Sequence, residues 1–296
     1  MRRLVKSAIS RLPFRDRLYP LLRRARLPES IYRHLHFTGP ITVLGGRDGS
    51  SFRMWHWGNQ VENDLFWAGF GVNWEAQSLR LWQALCVDAK SIVDLGANTG
   101  VYALSAASVN PHARVLAIEP VQRIFDKLRR NVELNGYKIA TDSRAASDKP
   151  GTAVLFDPLG AHAYSASLDA KMLPEATTTQ VEITVARLED MLQEHGFPSL
   201  DLIKIDVERH EPQALDGMGS ILGRDRPTLL IEILDAEIGR LVEDRIQGLG
   251  YLIYRVNETS GATREQTLSS AVGGRNYLLC QEPVAARLRT LGLLDQ

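Results

Sequence analysis

The sequence predicts an α/β fold: a doubly wound, mostly parallel sheet carrying an N-terminal extension. Three observations lead there. From residue 91 onward, short apolar runs alternate with segments of helical period. The first run ends in a turn with glycines at Gly96 and Gly100. The chain of 296 residues has room for one large domain plus an appendage, with an apolar content ordinary for a buried core.

Residues 1–35 read as a basic amphipathic helix interrupted by Pro13, Pro20 and Pro28, with Leu4, Ile9, Leu12 and Leu18 as its apolar side. Residues 1–26 hold nine Arg or Lys against Asp16 alone, a net +8, so the rest of this formally neutral chain carries −8. The plain reading is a helix packed on the domain with a solvated Arg face. The sharper one is a peripheral membrane or partner contact, because basic amphipathic helices suit anionic surfaces. A transit peptide is a third. Residues 36–75 are rich in aromatics (Trp55, Trp57, Phe66, Trp67, Phe70, Trp74) and in glycine, which suggests strands and a turn. These rings suit a core or the face of a sugar. Residues 1–75 are thus a basic helical and aromatic-rich extension, and residues 76–296 the main domain.

A helix follows residue 76, with Leu79, Trp82 and Leu85 on one side. Ser91–Leu95 is a strand, residues 99–109 a helix stopped at Asn110-Pro111, and residues 114–119 the next strand. Ile124, Leu128 and Val132 mark a second helix that Asn135-Gly136 ends. A third strand is expected over 138–147, with strands of an insertion at 151–156 and 181–185. Leu202–Val207 and Thr228–Ile233 are buried strands, each followed by a helix, from about Pro212 and over 237–247; strands at 251–256 and 277–280 close the sheet.

Bulk properties exclude some classes. Zero net charge gives no case for nucleic acid. Cys86 and Cys280 have neither metal-site spacing nor the look of a disulfide framework, which points to a reducing, cytoplasmic setting. No apolar run approaches the ~20 residues of a membrane span, and the basic N-terminus lacks a secretory signal's apolar stretch. No metal dependence is expected.

Chemistry gathers at three strand ends. The first is Val93-Asp94-Leu95-Gly96-Ala97-Asn98-Thr99-Gly100. Glycines allow a tight turn and close backbone approach to a ligand. Asn98 and Thr99 are candidate helix caps, leaving N–H groups toward the ligand. The G-x-x-x-G spacing is not the dinucleotide pattern, and Asp94 would oppose a pyrophosphate; it suits a ligand with a cationic end. The second is Glu119-Pro120, 23 residues after Gly96, where an acid accepts from ribose hydroxyls. The alternative for Glu119 is a charge complementing the next helix. The third is Lys204-Ile205-Asp206-Val207-Glu208-Arg209-His210-Glu211, where Asp206, Glu208, His210 and Glu211 are candidate bases. The alternative is that they cap the following helix and pair with Lys204 and Arg209.

These segments resemble the FkbM family of methyltransferases. The loop 93–100, Glu119-Pro120 and the run 204–211 are similar to its motifs, as are Ala145-Ala146-Ser147-Asp148 before Gly151, Leu188-Glu189-Asp190 and Ile231-Glu232. The resemblance spans roughly 70–235. Arg209 departs from it, because the family usually has glycine there. A glycine implies positive φ or no room for a side chain; an arginine in its place is a candidate for reaching a negatively charged acceptor.

The resemblance implies a Rossmann-like class I methyltransferase fold and an S-adenosylmethionine-dependent O-methyltransferase. Its acceptor would be a sugar, glycolipid or natural product, taken as a small molecule or glycan. Asp94, Gly96, Ala97, Asn98, Thr99, Gly100, Glu119, Pro120 and Asp206 would bind the cofactor. Glu75 would be a further cofactor or acceptor contact. His210 is the most natural base by pKa, with Asp206 and Glu208 as competitors. The competing readings are an NAD-dependent or nucleotide-sugar oxidoreductase and a silent cofactor-binding partner protein.

Overall fold

The computed structural model describes residues 15–158, 178–268 and 275–295. The described chain opens with α1 (Arg15–Arg23) and α2 (Glu29–Tyr32), then the antiparallel hairpin β1 (Gly39–Val43) and β2 (Phe52–His56). Helices α3 (Gln60–Trp67) and α4 (Ala76–Cys86) lead into β3 (Ser91–Leu95), α5 (Val101–Val109), β4 (Arg114–Ile118), α6 (Gln122–Asn135) and β5 (Ile139–Asp142). Strands β6 (Ala145–Ser147), β7 (Gly151–Pro158) and β8 (Thr178–Arg187) form a small sheet of their own. The chain continues through α7 (Leu188–Glu194), β9 (Leu202–Ile205), α8 (Glu211–Gly217), α9 (Ser220–Asp225), β10 (Thr228–Glu232) and α10 (Ala236–Ile246). It closes with β11 (Leu252–Asn257), β12 (Gly261–Glu265), β13 (Asn276–Cys280) and α11 (Glu282–Thr290).

The main sheet has eight strands in the order β12-β11-β13-β10-β9-β3-β4-β5. Strands β10, β9, β3, β4 and β5 run parallel, and β13, β11 and β12 are antiparallel additions. The chain winds outward from β3 through β4 and β5, then returns to build β9 and β10 on the other side. Period-two alternation sends neighbouring residues to opposite faces. Ile92, Val115 and Leu202 join the core shared with α4, α5 and the N-terminal elements. Val93, Leu116 and Ile203 join the core under α7, α8 and α10. Burial on both faces explains why β3, β4 and β9 read as nearly continuous apolar runs.

Three expectations change. Pro20 does not interrupt α1. Its neighbour Tyr19 is buried against Phe37 and Trp67, and this packing holds the helix through the lost hydrogen bond. The aromatic segment contains a helix, α3, whose Leu65, Phe66 and Trp67 enter the core, so tertiary burial outweighs the strand preference of its aromatics. The single strand expected over 138–147 is two strands in different sheets. Asp142 Oδ1 accepts from the Arg144 N–H at 2.9 Å, and this local turn ends β5. Helices α7 and α11 and strand β12 were not foreseen. Leu4, Ile9 and Leu12, and most of the segment proposed to touch a membrane, lie outside the described residues. No helix among the described residues is long and apolar enough to cross a membrane.

Candidate functional site

Where strand order reverses, between β3 and β9, a crevice opens beyond the strands' carboxyl ends. A cavity of about 250 Å³ lies there. Gly96, Ala97, Asn98 and Thr99 form one wall, with Glu119 and Pro120 beside them. Lys204, Asp206, Glu208 and His210 form another, and Trp74 and Tyr102 are also in contact with it.

The loop after β3 is positioned by its backbone. Gly96 has φ +79°, and a Cβ there would lie 1.8 Å from the Asp206 carbonyl oxygen, so the two strand ends touch only because residue 96 is glycine. Gly100, at φ +94°, stands off the cavity wall; a Cβ would meet Leu128 Cδ1 of α6 at 2.6 Å. The caps expected from Asn98 and Thr99 are not made by them. Asn98 occupies a left-handed conformation, which asparagine tolerates, and its Oδ1 accepts from the Thr99 N–H next to it. Asp94 caps α5 instead: its Oδ2 accepts from the Ala103 N–H at 2.9 Å. Its Oδ1 is buried and has no partner among the described residues. Burial pushes the Asp94 carboxyl up to about 6, against the pull of Lys204 and the Ala103 N–H.

Glu119 ties the loop to the next helix and faces the cavity. Its carboxylate accepts from the backbone N–H groups of Asn98 at 3.0 Å and Val121 at 2.9 Å, tying the loop to the start of α6. It also lines the cavity, and a carboxylate retains further lone pairs for a ligand. Burial pushes it up to about 7, opposed by those two N–H groups.

Glu75 does not line the cavity; it stands behind the wall. Its backbone is left-handed (φ 45°), and its carboxylate accepts from the Tyr102 hydroxyl at 2.5 Å. Burial raises it to about 7. The cap that Glu75 leaves undone on α4 comes from Glu258, which accepts from Gln77 N at 2.7 Å and Ser78 N at 3.2 Å.

The turn after β9 gathers the charge. Lys204 is 4% exposed. Its ammonium donates to Asp206 Oδ2 at 2.8 Å and lies 4.7 Å from the Tyr102 ring centre. Burial works against that charge, but Asp206, Glu75 and Asp94 together hold the lysine above its ordinary value. Glu232, at the end of β10, is pushed up to about 9 by burial and by Asp206 and Glu208, so it is neutral at pH 7 and hydrogen-bonds Asp206 as a carboxylic acid. Asp206 thus stands between two donors, the Lys204 ammonium and the Glu232 carboxyl. Glu211 is a fold residue: fully buried, it accepts from the N–H groups of Val207 (3.3 Å) and Arg209 (3.2 Å). His210 lines the cavity, and burial lowers its pKa, which keeps the ring neutral.

Arg209 does take the glycine-like conformation, at φ 78°, and Glu208 beside it has φ 52°. Its side chain does not reach into the cavity. The guanidinium pairs with Asp235 and, at 3.4 Å, with Glu237, both at the start of α10. The expectation that it meets a charged acceptor is replaced by this anchoring, which the acids Asp235 and Glu237 make favourable.

Tyr102 and Lys204 were missed as site residues, whereas Trp74 belongs to the aromatic cluster already considered for a sugar face. A lone lysine inside the apolar run Leu202–Ile205 was the available signal, since a buried charge must find partners. Asn131 was missed too: its amide donates to Thr99 O at 2.7 Å and accepts from Trp55 N at 2.7 Å. Of the other aromatics, Phe66, Trp67 and Phe70 are core. Trp55 and Trp57 are covered by Arg130 and Lys127 at 3.6 and 5.3 Å from their ring centres. Among the described residues no cluster of three or more His, Cys, Asp or Glu is disposed to hold a metal.

Sheet order and cavity together define an α/β protein with a cavity at its topological switch point, where open sheets of this kind bind ligands. The profile of the Methyltransferase FkbM domain matches residues 94–253, and the chain belongs to that family. Similar proteins include the 31-O-demethyl-FK506 methyltransferase FkbM of Streptomyces tacrolimicus, 30% identical over 153 residues, or 43% of this chain and 58% of that protein. Methyltransferase sdnD of Sordaria araneosa is 29% identical over 154 residues, 43% of this chain and 60% of that one. The chain thus spans about three-fifths of the length of these relatives. A crystal structure of a methyltransferase FkbM from Methylobacillus flagellatus KT superposes with a TM-score of 0.44 at 19% identity, covering 65% of this chain and 44% of that one.

Proposed function

We propose that the chain is an S-adenosylmethionine-dependent methyltransferase acting on a hydroxyl oxygen of a sugar, glycolipid or natural-product acceptor. The observation that carries this is the sign of the site. Glu119, Asp206 and Glu208 line the cavity against Lys204, its one ammonium among the described residues, and the Asp94 oxygen without a partner among them lies just behind the loop. That wall suits a cationic donor and opposes the pyrophosphate of a dinucleotide, which counts against the oxidoreductase reading. Transfer to oxygen takes support from the name of the Streptomyces relative, a 31-O-demethyl-FK506 methyltransferase.

The residues fit such a cofactor. Glu119 would take the ribose hydroxyls, the Gly96–Thr99 backbone would lie along it, and Asp206 would face its ammonium end. When bound, S-adenosylmethionine supplies an electrophilic methyl group. The protein's work is to align the acceptor oxygen and remove its proton. His210 is the base, neutral and on the cavity wall, whereas Asp206 is already committed to Lys204. Trp74 and Tyr102 add apolar surface to the same cavity.

Titration with S-adenosylhomocysteine and with NAD tests the reading: binding of the first alone is expected, and binding of NAD alone would overturn it. A silent member would bind S-adenosylhomocysteine yet consume no methyl donor across a panel of hydroxylated acceptors. Affinity should also rise with pH. Glu119 titrates near 7 without ligand, and ribose hydroxyls donate to its anion, so binding tightens from about pH 6 to about pH 8. Glu119→Gln should flatten that slope. Without ligand the same shift acts against the fold: between 4.5 and about 7 the unfolded chain has lost this proton and the native state retains it, so stability falls as pH rises through that window. Thermal melts and calorimetric titrations across this range check both halves, and an affinity independent of pH would remove Glu119 from the ribose.

A further inference from the structure

We infer that Ser147 and Asp148 form a hydrogen-bonded relay that fixes His210 as its Nε2–H tautomer and leaves Nδ1 as the nitrogen that receives the acceptor's proton. This rests on His210 being the base, and it assigns the two positioning residues behind it.

The relay follows from counting hydrogens. Ser147 Oγ lies 3.1 Å from Asp148 Oδ1 and 3.1 Å from His210 Nε2. An ionised carboxylate only accepts, so the one hydroxyl proton of Ser147 is committed to Asp148. The hydroxyl oxygen can then only accept from the ring. Nε2 must carry the hydrogen, and a neutral imidazole has just one. Nδ1 holds the lone pair, and it makes no hydrogen bond among the described residues. As the acceptor O–H bond breaks, its proton passes to Nδ1 and its electron pair stays on the acceptor oxygen. Nε2 keeps its hydrogen throughout, and the new imidazolium faces Asp148 through the serine.

The frame behind this chain is rigid. Ser147 is buried at the end of β6. His210 stands at the N-terminus of α8, and Gly217 at the other end of that helix lies against the same strand end. A Cβ on Gly217 would come within 2.2 Å of the Ser147 carbonyl oxygen, so α8 approaches β6 as closely as backbones allow. Asp148 is the charged group that acts on the ring, while Glu211 on the same helix is turned to the N–H groups of Val207 and Arg209. Burial lowers the ring's pKa, and Asp148 is the group whose charge raises it.

The test is nitrogen-15 NMR of the full chain labelled at histidine, with His210→Gln to assign the resonance. In the wild type, neutral His210 should show a protonated Nε2 and an unprotonated Nδ1. Asp148→Asn, at an exposed position, should lower the titration midpoint of the ring. Ser147→Ala should yield a mixture of tautomers, and Ser147→Thr should restore the single form. An Nδ1–H tautomer in the wild type, or a midpoint indifferent to Asp148→Asn, overturns the relay. Turnover of His210→Gln judges the base separately: full activity would remove His210 from the chemistry while the NMR result still decides the relay.

Discussion

Two turns meet at the cavity, one after β3 and one after β9, and they reach similar backbone conformations by different means. The first places Gly96, Asn98 and Gly100 at positive φ, residue types that take that region at little expense. The second places Glu208 and Arg209 there, at a penalty of about 1 kcal/mol per residue. Tertiary contacts offset it: the Glu211 carboxylate accepts two N–H groups of the turn, and Arg209 is drawn to Asp235 and Glu237. The first turn is written in its own residues, the second in its surroundings.

Three substitutions sharpen or break that contrast. The largest effect is expected from Gly96→Ala, which sets a methyl group against the Asp206 carbonyl in a left-handed conformation. It should destabilise by about 3 kcal/mol or more and abolish S-adenosylhomocysteine binding. A variant that melts like the wild type would show that the strand ends separate freely. Next, Glu211→Ala leaves the N–H groups of Val207 and Arg209 without their acceptor and should lower stability on the order of 1–3 kcal/mol by chemical denaturation. No change would mean that the second turn holds itself. The smallest effect belongs to Arg209→Gly. Relief of backbone strain and loss of the partly exposed ion pairs should nearly cancel, within about 1 kcal/mol, and the acceptor range should not change. A narrowed or shifted range would return Arg209 to acceptor recognition.

The same contrast explains what could be read from residues alone. β3, β4, β9 and β10 announce themselves because strands buried on both faces are continuous apolar runs. Glu119, Asp206 and His210 were legible because their strands end where ligands bind in such sheets. The cap from Asp94 was not, because it reaches nine residues along the chain to Ala103. Nor was the withdrawal of Glu75 behind Tyr102, which depends on Glu258 arriving from 181 residues away to cap α4. β12 carries the polar run Gly261–Glu265 with little alternation and pairs only at the sheet's edge. Tyr102 lies among the small and apolar residues of α5, and nothing in that segment distinguishes it as a wall of the site.

Asn131 and Asn135 stand one turn apart on α6, and their amides bond the backbone of Trp55 and Arg53 along β2. Asn131 also holds the carbonyl of Thr99 in the loop. The family match begins at residue 94, so β2 lies outside the matched segment although its backbone holds α6. A chain shortened to its recognisable part would lose the neighbour that steadies α6, and with it one tether of the ligand loop.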